Sequence, residues 1–327
     1  MASAPQDLLL KSAPFYISLS ENPPTPAFYE LLEKHSHIPR DEADEHLEKV
    51  RDQAWQRFPY PNIGLFLFHS LGLSGDHLPF HSRTPKPPGP LINHWPSFSN
   101  SQIPYSYLST RRIGRAYERI LQTLKDGGRF LDVGCKLAPD CRKLVHDGAP
   151  PQSVYGTDLF SEFFDLGYAL FRDEAILPRH HFIQANFLDR FHPGLGFLEG
   201  QLDVVHFADV LHLFGIDDQT SLVQRAFEML KPRKGVMVTG HLAGNMRSGF
   251  RAASDDAKAT AQDKIWEHSS RSIKALFEET GTRVGQIWRA ECWFWRFGVH
   301  TKVEGKEDWP RGAEHGLITF IATRLSD

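Results

Sequence analysis

Cysteine, basic charge and long apolar runs are all scarce in this sequence. Cys135, Cys141 and Cys292 are its 3 cysteines in 327 residues. Their odd number and lack of metal-ligand spacing fit free thiols in a reducing compartment better than a disulfide framework. Lys and Arg number 37 against 40 Asp and Glu, a net charge of -3, and there is no long basic run. That balance removes the electrostatic case for a nucleic-acid partner. The longest apolar stretch, Ile63 to Leu73, is broken by His69 and Ser70 and falls well below the roughly 20 residues that span a bilayer. The start, Met1-Ala2-Ser3-Ala4-Pro5, lacks a basic region followed by an apolar core, and Leu8-Leu9-Leu10 is too short to be one. A cytoplasmic protein without a membrane span is therefore expected, acting on a small molecule or another protein.

A hydrophobic content of 41% suffices for a substantial core. Two compositions divide the chain near residue 108. Residues 1–108 are rich in Pro, His and aromatics and form an extension expected to be mainly helical. Within it, Pro39-Arg40-Asp41-Glu42 opens a charged helix reaching about Phe58, with acids at its dipole-favoured start. A second, apolar helix is expected from Ile63 to Leu73. Pro79 to Pro104, with Pro85-Lys86-Pro87-Pro88-Gly89-Pro90, is a long loop, because proline removes backbone donors and fixes φ.

Residues 109–327 read as α/β. A helix from Ser109 to Lys125 carries Ile113, Ala116, Tyr117, Ile120, Leu121 and Leu124 at helical spacing and stops at Gly127-Gly128. Short strands follow at Arg129 to Val133, Ser153 to Thr157, His181 to Ala185, Leu202 to Phe207 and Gly235 to His241. Helices near Asp140 to Asp147, Phe160 to Phe171 and Gln219 to Leu230 separate them. Alternation of this kind implies a mostly parallel sheet covered on both faces. After a last helix, Arg271 to Glu279, the runs Arg283 to Trp293 and Gly316 to Thr323 predict an antiparallel hairpin and bring the sheet to seven strands.

Phe130-Leu131-Asp132-Val133-Gly134-Cys135 places an apolar strand before a turn with one glycine, where backbone can approach a ligand at the strand ends. Val154-Tyr155-Gly156-Thr157-Asp158 ends the next strand on a carboxylate able to accept hydrogen bonds from both hydroxyls of a ribose. A helix cap is the competing role for Asp158. These runs, with Gln184-Ala185-Asn186-Phe187-Leu188-Asp189 and the fourth strand leading to Leu230-Lys231-Pro232, resemble the motifs of class I S-adenosylmethionine (SAM)-dependent methyltransferases, in order, over about residues 110 to 241. The resemblance implies a Rossmann-like fold and SAM as cofactor. It sets Asp132 near the methionine amino group, the Gly134-Cys135 backbone beside the cofactor, and Asn186 and Phe187 at the adenine; Asp158 is the ribose candidate, and Leu159 and Ala208 are further cofactor-binding candidates. The family's first motif has two further glycines where this chain has Lys136, Leu137 and Ala138, so the course of that turn is left open. A dinucleotide site is disfavoured, since G-x-G-x-x-G is absent.

Methyl transfer from a sulfonium requires alignment and exclusion of water. A phenol or alcohol acceptor gains from a general base, whereas a carboxylate is already ionised. His206, His212 and His241, at or beyond the ends of the fourth and fifth strands, are the catalytic candidates, each with a structural, hydrogen-bonded role as its competitor. The extension supplies Tyr60, Phe66, Phe68, His69, Trp95, Tyr105 and Tyr107, of which Phe68, Trp95, Tyr105 and Tyr107 are expected to line a hydrophobic acceptor site. Leu242 to Glu267 is a candidate lid, and either region could instead form a homodimer contact.

Asn62-Ile63-Gly64-Leu65-Phe66-Leu67-Phe68, the Asn186 segment and Leu211-His212-Leu213-Phe214-Gly215-Ile216-Asp217-Asp218-Gln219 are similar to fungal secondary-metabolite methyltransferases acting on dimethylorsellinate-derived meroterpenoids. That resemblance implies methyl-ester formation on a hydrophobic acid. A phenol or alcohol O-methyltransferase and a non-catalytic SAM-fold binding protein are the alternatives.

Overall fold

In the computed structural model the described residues are 16–59, 61–69, 107–252, 264–296 and 314–327. Trp95, Tyr105, Tyr60 and the proline-rich loop lie outside them, as does the side chain of Tyr107. None of the described helices is long and apolar enough to cross a membrane.

Seven strands form one sheet in the order β3-β2-β1-β4-β5-β9-β8. Strands β1 (Phe130–Val133), β2 (Val154–Asp158), β3 (Phe182–Gln184), β4 (Val204–Ala208) and β5 (Met237–Asn245) are parallel. The last two, β8 (Trp288–Arg296) and β9 (His315–Arg324), form the expected antiparallel pair, with β9 against β5. The architecture is Rossmann-like. Alternation along β1 sets its two faces: Leu131 and Val133 pack into one apolar cluster and Phe130 into the other.

The first cluster is closed by α6 (Ile216–Met229) and α7 (Ser270–Arg283), through Leu222, Val223 and Phe227 and through Ile273 and Phe277. Across the sheet, α3 (Tyr107–Lys125), α4 (Pro139–His146) and α5 (Glu162–Phe171) cover the second. Since β1 lies between β2 and β4, the connections diverge to opposite sides there, leaving a crevice at the carboxyl ends of β1 and β4.

Two segments depart from the sequence-based expectation. The apolar helix from Ile63 is a single turn, Pro61–Gly64, followed by a short 3-10 turn, Leu67–His69. Phe66 between them has φ 56, which a continuous right-handed helix does not admit. In the candidate lid, β5 runs on to Asn245, and β6 (Gly249–Ala252) pairs with β7 (Lys264–Glu267). Polarity and small residues hid these strands, since they lack a continuous apolar face.

The N-terminal unit contains α1 (Pro26–Glu30), which widens into a π-helical turn, Leu31–His35, and α2 (Ala43–Arg57). Its core includes Phe28, Leu31, Leu32, Leu47 and Trp55, and continues into Phe163, Leu166, Leu170 and Phe171 of α5. At this junction Arg142 is buried, only 1% exposed. Its Nε and Nη2 donate to the two oxygens of Asp173 at 2.9 and 3.1 Å, and His35 Nε2 lies 3.0 Å from Asp173 Oδ2. Burial works to raise the Asp173 carboxyl, but the His35 hydrogen bond and the Arg142 charge outweigh it and bring the carboxyl below its ordinary range.

Removing one partner of such a pair leaves an uncompensated buried charge. Asp173→Asn should therefore cost about 3–5 kcal/mol in denaturant unfolding. Because the folded carboxyl titrates below its unfolded value of about 4, this contribution is complete above that pH. It is lost as pH falls through the lowered value, which acid unfolding of wild type against Asp173→Asn would check.

Candidate active site

At the end of β1, Gly134 has φ 70, and a Cβ placed there would lie 2.5 Å from Val210 Cγ2. Only glycine fits that turn. Lys136 and Ala138 follow with φ 52 and 51, so the chain alternates into the left-handed region at the two positions where the resembled motif has glycines. Each costs about 1–2 kcal/mol relative to glycine. The open question of the turn's course is thereby answered: the glycine-like path is kept without the glycines.

Asp158 closes the opposite side of the crevice. Its Oδ2 accepts the Lys136 N–H at 2.9 Å and its Oδ1 accepts the Phe160 N–H at 3.2 Å. It thus closes a short turn at the strand end and presents a carboxylate there, while the N-cap position of the following helix is Ser161, so Asp158 does not cap that helix. Asp132 is 2% exposed, and its Oδ1 has no hydrogen-bond partner among the described residues. Burial, then the nearby Asp140 and Asp158 charges, push the Asp132 carboxyl well above its ordinary value. A buried carboxyl oxygen aimed at no donor, a side-chain-free cradle at Gly134 and an acid at the end of β2 fit the ammonium, methionine backbone and ribose of SAM.

The remaining cofactor candidates separate. Leu159, 55% exposed, follows Asp158, and Ala208 ends β4 beside the crevice. Cys135 is buried, with its Sγ packed toward Gly156, and burial raises its thiol well above the ordinary value. It contributes backbone and packing. Asn186 Oδ1 accepts the Leu188 N–H at 3.1 Å, fixing an exposed turn after β3. Phe187 turns inward, its ring 5.8 Å from Phe207 in the core. Its packing competes with the adenine-stacking role.

Of the three histidines, His206 lies deepest in the sheet. It sits inside the sheet, 2% exposed, with Nδ1 2.9 Å from Thr239 Oγ1 and its ring stacked on Phe130. Burial, reinforced by the His241 charge, depresses it to about 3. A neutral histidine held at this depth supports the sheet. His212, on the 3-10 turn Leu211–Leu213, accepts the Ala243 N–H at Nδ1, 3.4 Å. Neutral His212 therefore carries its proton on Nε2 and is a donor there.

His241 is different. Its Nε2 lies 3.6 Å from Asp209 Oδ2, and the Asp209 N–H donates to the His241 carbonyl at 3.0 Å. Burial opposes the charge on His241, but the Asp209 carboxylate outweighs it and raises the imidazole above its ordinary value. Burial likewise works to raise Asp209, and the His241 charge and hydrogen bond bring it net below. Asp209, with φ 56, was absent from the sequence candidates, although its position directly after Ala208 repeats the strand-end logic that identified Asp158. Lys136 was also passed over, as a missing glycine. Its charge acts on Asp132, Asp158, Asp209 and His241.

Phe68, an acceptor-site candidate, lies in the N-terminal core. It is 6% exposed and packs beside Phe66 and His69 in the N-terminal core. The short turn that replaces the expected helix directs it inward.

Known proteins carry the same two parts. A methyltransferase-domain family matches residues 105–287, and a meroterpenoid methyltransferase N-terminal domain matches residues 15–69. The O-methyltransferase atr3 of Stereocaulon alpinum is 31% identical over 90% of this chain and 74% of its own length. Methyltransferase ausD of Penicillium brasilianum is 28% identical over 80% of this chain and 79% of its own. The asnovolin E/chermesin D methyltransferase nvfJ of Aspergillus novofumigatus is 33% identical over 64% and 62%. With the crevice described above, these matches establish that the chain belongs to the SAM-dependent methyltransferases, among the fungal secondary-metabolite enzymes that bear a meroterpenoid-methyltransferase N-terminal domain.

Proposed function

We propose that this enzyme methylates an oxygen, the carboxylate of a hydrophobic meroterpenoid or polyketide-derived acid, to give a methyl ester. The observation that carries this reading is the Asp209–His241 pair. A hydroxyl acceptor needs a neutral imidazole to take its proton, and Asp209 favours the charged form instead. A carboxylate has no proton to lose, and an imidazolium nearby holds it by a charge-assisted hydrogen bond. His212, protonated on Nε2, also suits a donor role. The name of atr3, an O-methyltransferase, and the match to a meroterpenoid methyltransferase N-terminal domain agree with this direction.

Bound SAM supplies a methyl group on a sulfonium, and the chain's own residues supply the rest. In this reading Asp132, the Gly134-Cys135 backbone, Asp158 and Leu159 hold the cofactor, with Asn186, Phe187 and Ala208 bordering it. His241 orients the acceptor oxygen and Asp209 keeps His241 charged. Residues 109–327 form the catalytic domain and residues 1–108 the unit that flanks it. The hairpin β6–β7 offers an apolar flank: Phe250, 62% exposed, meets Trp266 edge-on at 4.8 Å, and the backbone N–H of Trp266 donates to the Phe214 carbonyl at 3.2 Å. Such a surface suits a bulky apolar acid.

Incubation with labelled SAM and small hydrophobic acids should yield labelled methyl esters by mass spectrometry. The same acids esterified beforehand should be inert, and labelling of a phenol in their place would refute the carboxylate. The rate should be highest while His241 is charged and should fall as pH rises through its elevated value. A histidine base would give the opposite slope. His241→Ala should lower kcat about tenfold or more, the worth of one hydrogen bond to a charged group. His212→Ala should stay well short of the roughly hundredfold or greater loss expected for a general base. Asp158→Ala should weaken SAM binding at least about tenfold by calorimetry, since two ribose hydrogen bonds to a carboxylate are removed.

A further inference from the structure

Between the two left-handed residues of the cofactor turn, Leu137 points away from the crevice. It is fully buried and belongs to the apolar cluster of the N-terminal unit, with Phe28, Leu31 and Leu32. Its carbonyl accepts Arg142 Nη1 at 2.8 Å, and the Ala138 carbonyl accepts the same nitrogen at 3.4 Å. The other guanidinium nitrogens hold Asp173, whose Oδ2, the oxygen that accepts Arg142 Nε, is also met by His35 of the N-terminal unit. A second contact reaches the other wall of the crevice: Phe58 stacks on Phe163 at 4.2 Å and meets Phe160 at 5.6 Å. The Phe160 N–H is a donor to Asp158.

From these contacts we infer that the N-terminal unit is a positioning element for cofactor binding, and that His35, through Asp173 and Arg142, braces the glycine-poor turn in its SAM-binding shape. A glycine-rich turn adopts left-handed conformations at no steric cost. This one has Lys136 and Ala138 at those positions, so its shape must be imposed from outside, and the unit that imposes it is the one carrying His35. Coupling of this kind is reciprocal: whatever docking contributes to SAM affinity, SAM returns to docking.

The test uses the full chain. His35→Ala keeps the Arg142–Asp173 pair but removes its N-terminal partner. SAM should then bind roughly tenfold more weakly by calorimetry, within the usual range for coupled sites. Ala138→Gly, added to that variant, should recover most of the loss, because glycine takes the left-handed conformation without the brace. Loss of a purely structural contact would not be repaired by a glycine in the turn. Unchanged SAM affinity in His35→Ala, or failure of Ala138→Gly to restore it, would overturn the inference. Should His35→Ala fail to fold, hydrogen exchange on the wild-type chain decides. Saturating SAM should slow exchange of amides in Pro26–Glu30 and Ala43–Arg57, and protection confined to residues 109–252 would overturn it. Absence of any SAM binding by folded wild type would be a different failure, that of the cofactor assignment itself.

Discussion

Arg142 is a full charge removed from water, and four acceptors make that tolerable: both oxygens of Asp173 and the carbonyls of Leu137 and Ala138. Isolated burial of a guanidinium would be prohibitively costly. Here the same side chain that must be neutralised also fixes the backbone of the turn after β1, and the carboxylate that neutralises it is shared with His35. The first β-α turn of the catalytic sheet and the docking of the N-terminal unit therefore rest on one hydrogen-bonded cluster. Gly167 shows how closely it is packed, since a Cβ there would stand 2.9 Å from the Leu137 carbonyl.

On the other side of that turn the crevice is rich in carboxylates. Asp132, Asp140, Asp158 and Asp209 converge, and Lys136, His241 and His212 are among the cations that act on them. An acidic crevice of this composition favours a ligand bearing an ammonium and a sulfonium. The two ends differ in kind. Near β1, Asp132 is raised by burial and by its like-charged neighbours, and a cationic ligand would relieve it. Near β4 and β5, Asp209 is satisfied within the protein by His241. The first end suits a cofactor, and in the function proposed above the second takes an anionic acceptor set against an imidazolium.

Strand ends were the legible part of this sequence. Asp132, Gly134 and Asp158 could be read because short apolar runs, buried on both faces in β1 and β2, mark where a strand stops, and a parallel sheet gathers its stops on one edge. Three kinds of feature could not be read that way. Lys136 and Ala138 look like departures from a glycine motif, because sequence records side chains and not the φ that tertiary contacts impose. Phe68 and His206 are residue types common in acceptor sites, and only packing turns them inward. The hairpin β6–β7 has no continuous apolar face to reveal it. Arg142 and Asp173, far apart in sequence, carry no signal of their partnership until the two helices they adjoin are assembled.

The most direct measurement of this account is a crystal structure of the full chain with S-adenosylhomocysteine. The nucleoside should lie across Gly134 with its ribose at Asp158. Lys136 and Ala138 should retain positive φ, and the His35–Asp173–Arg142 cluster should remain intact. A nucleoside seated elsewhere, or a turn refolded to right-handed conformations with His35 separated from Asp173, would contradict it.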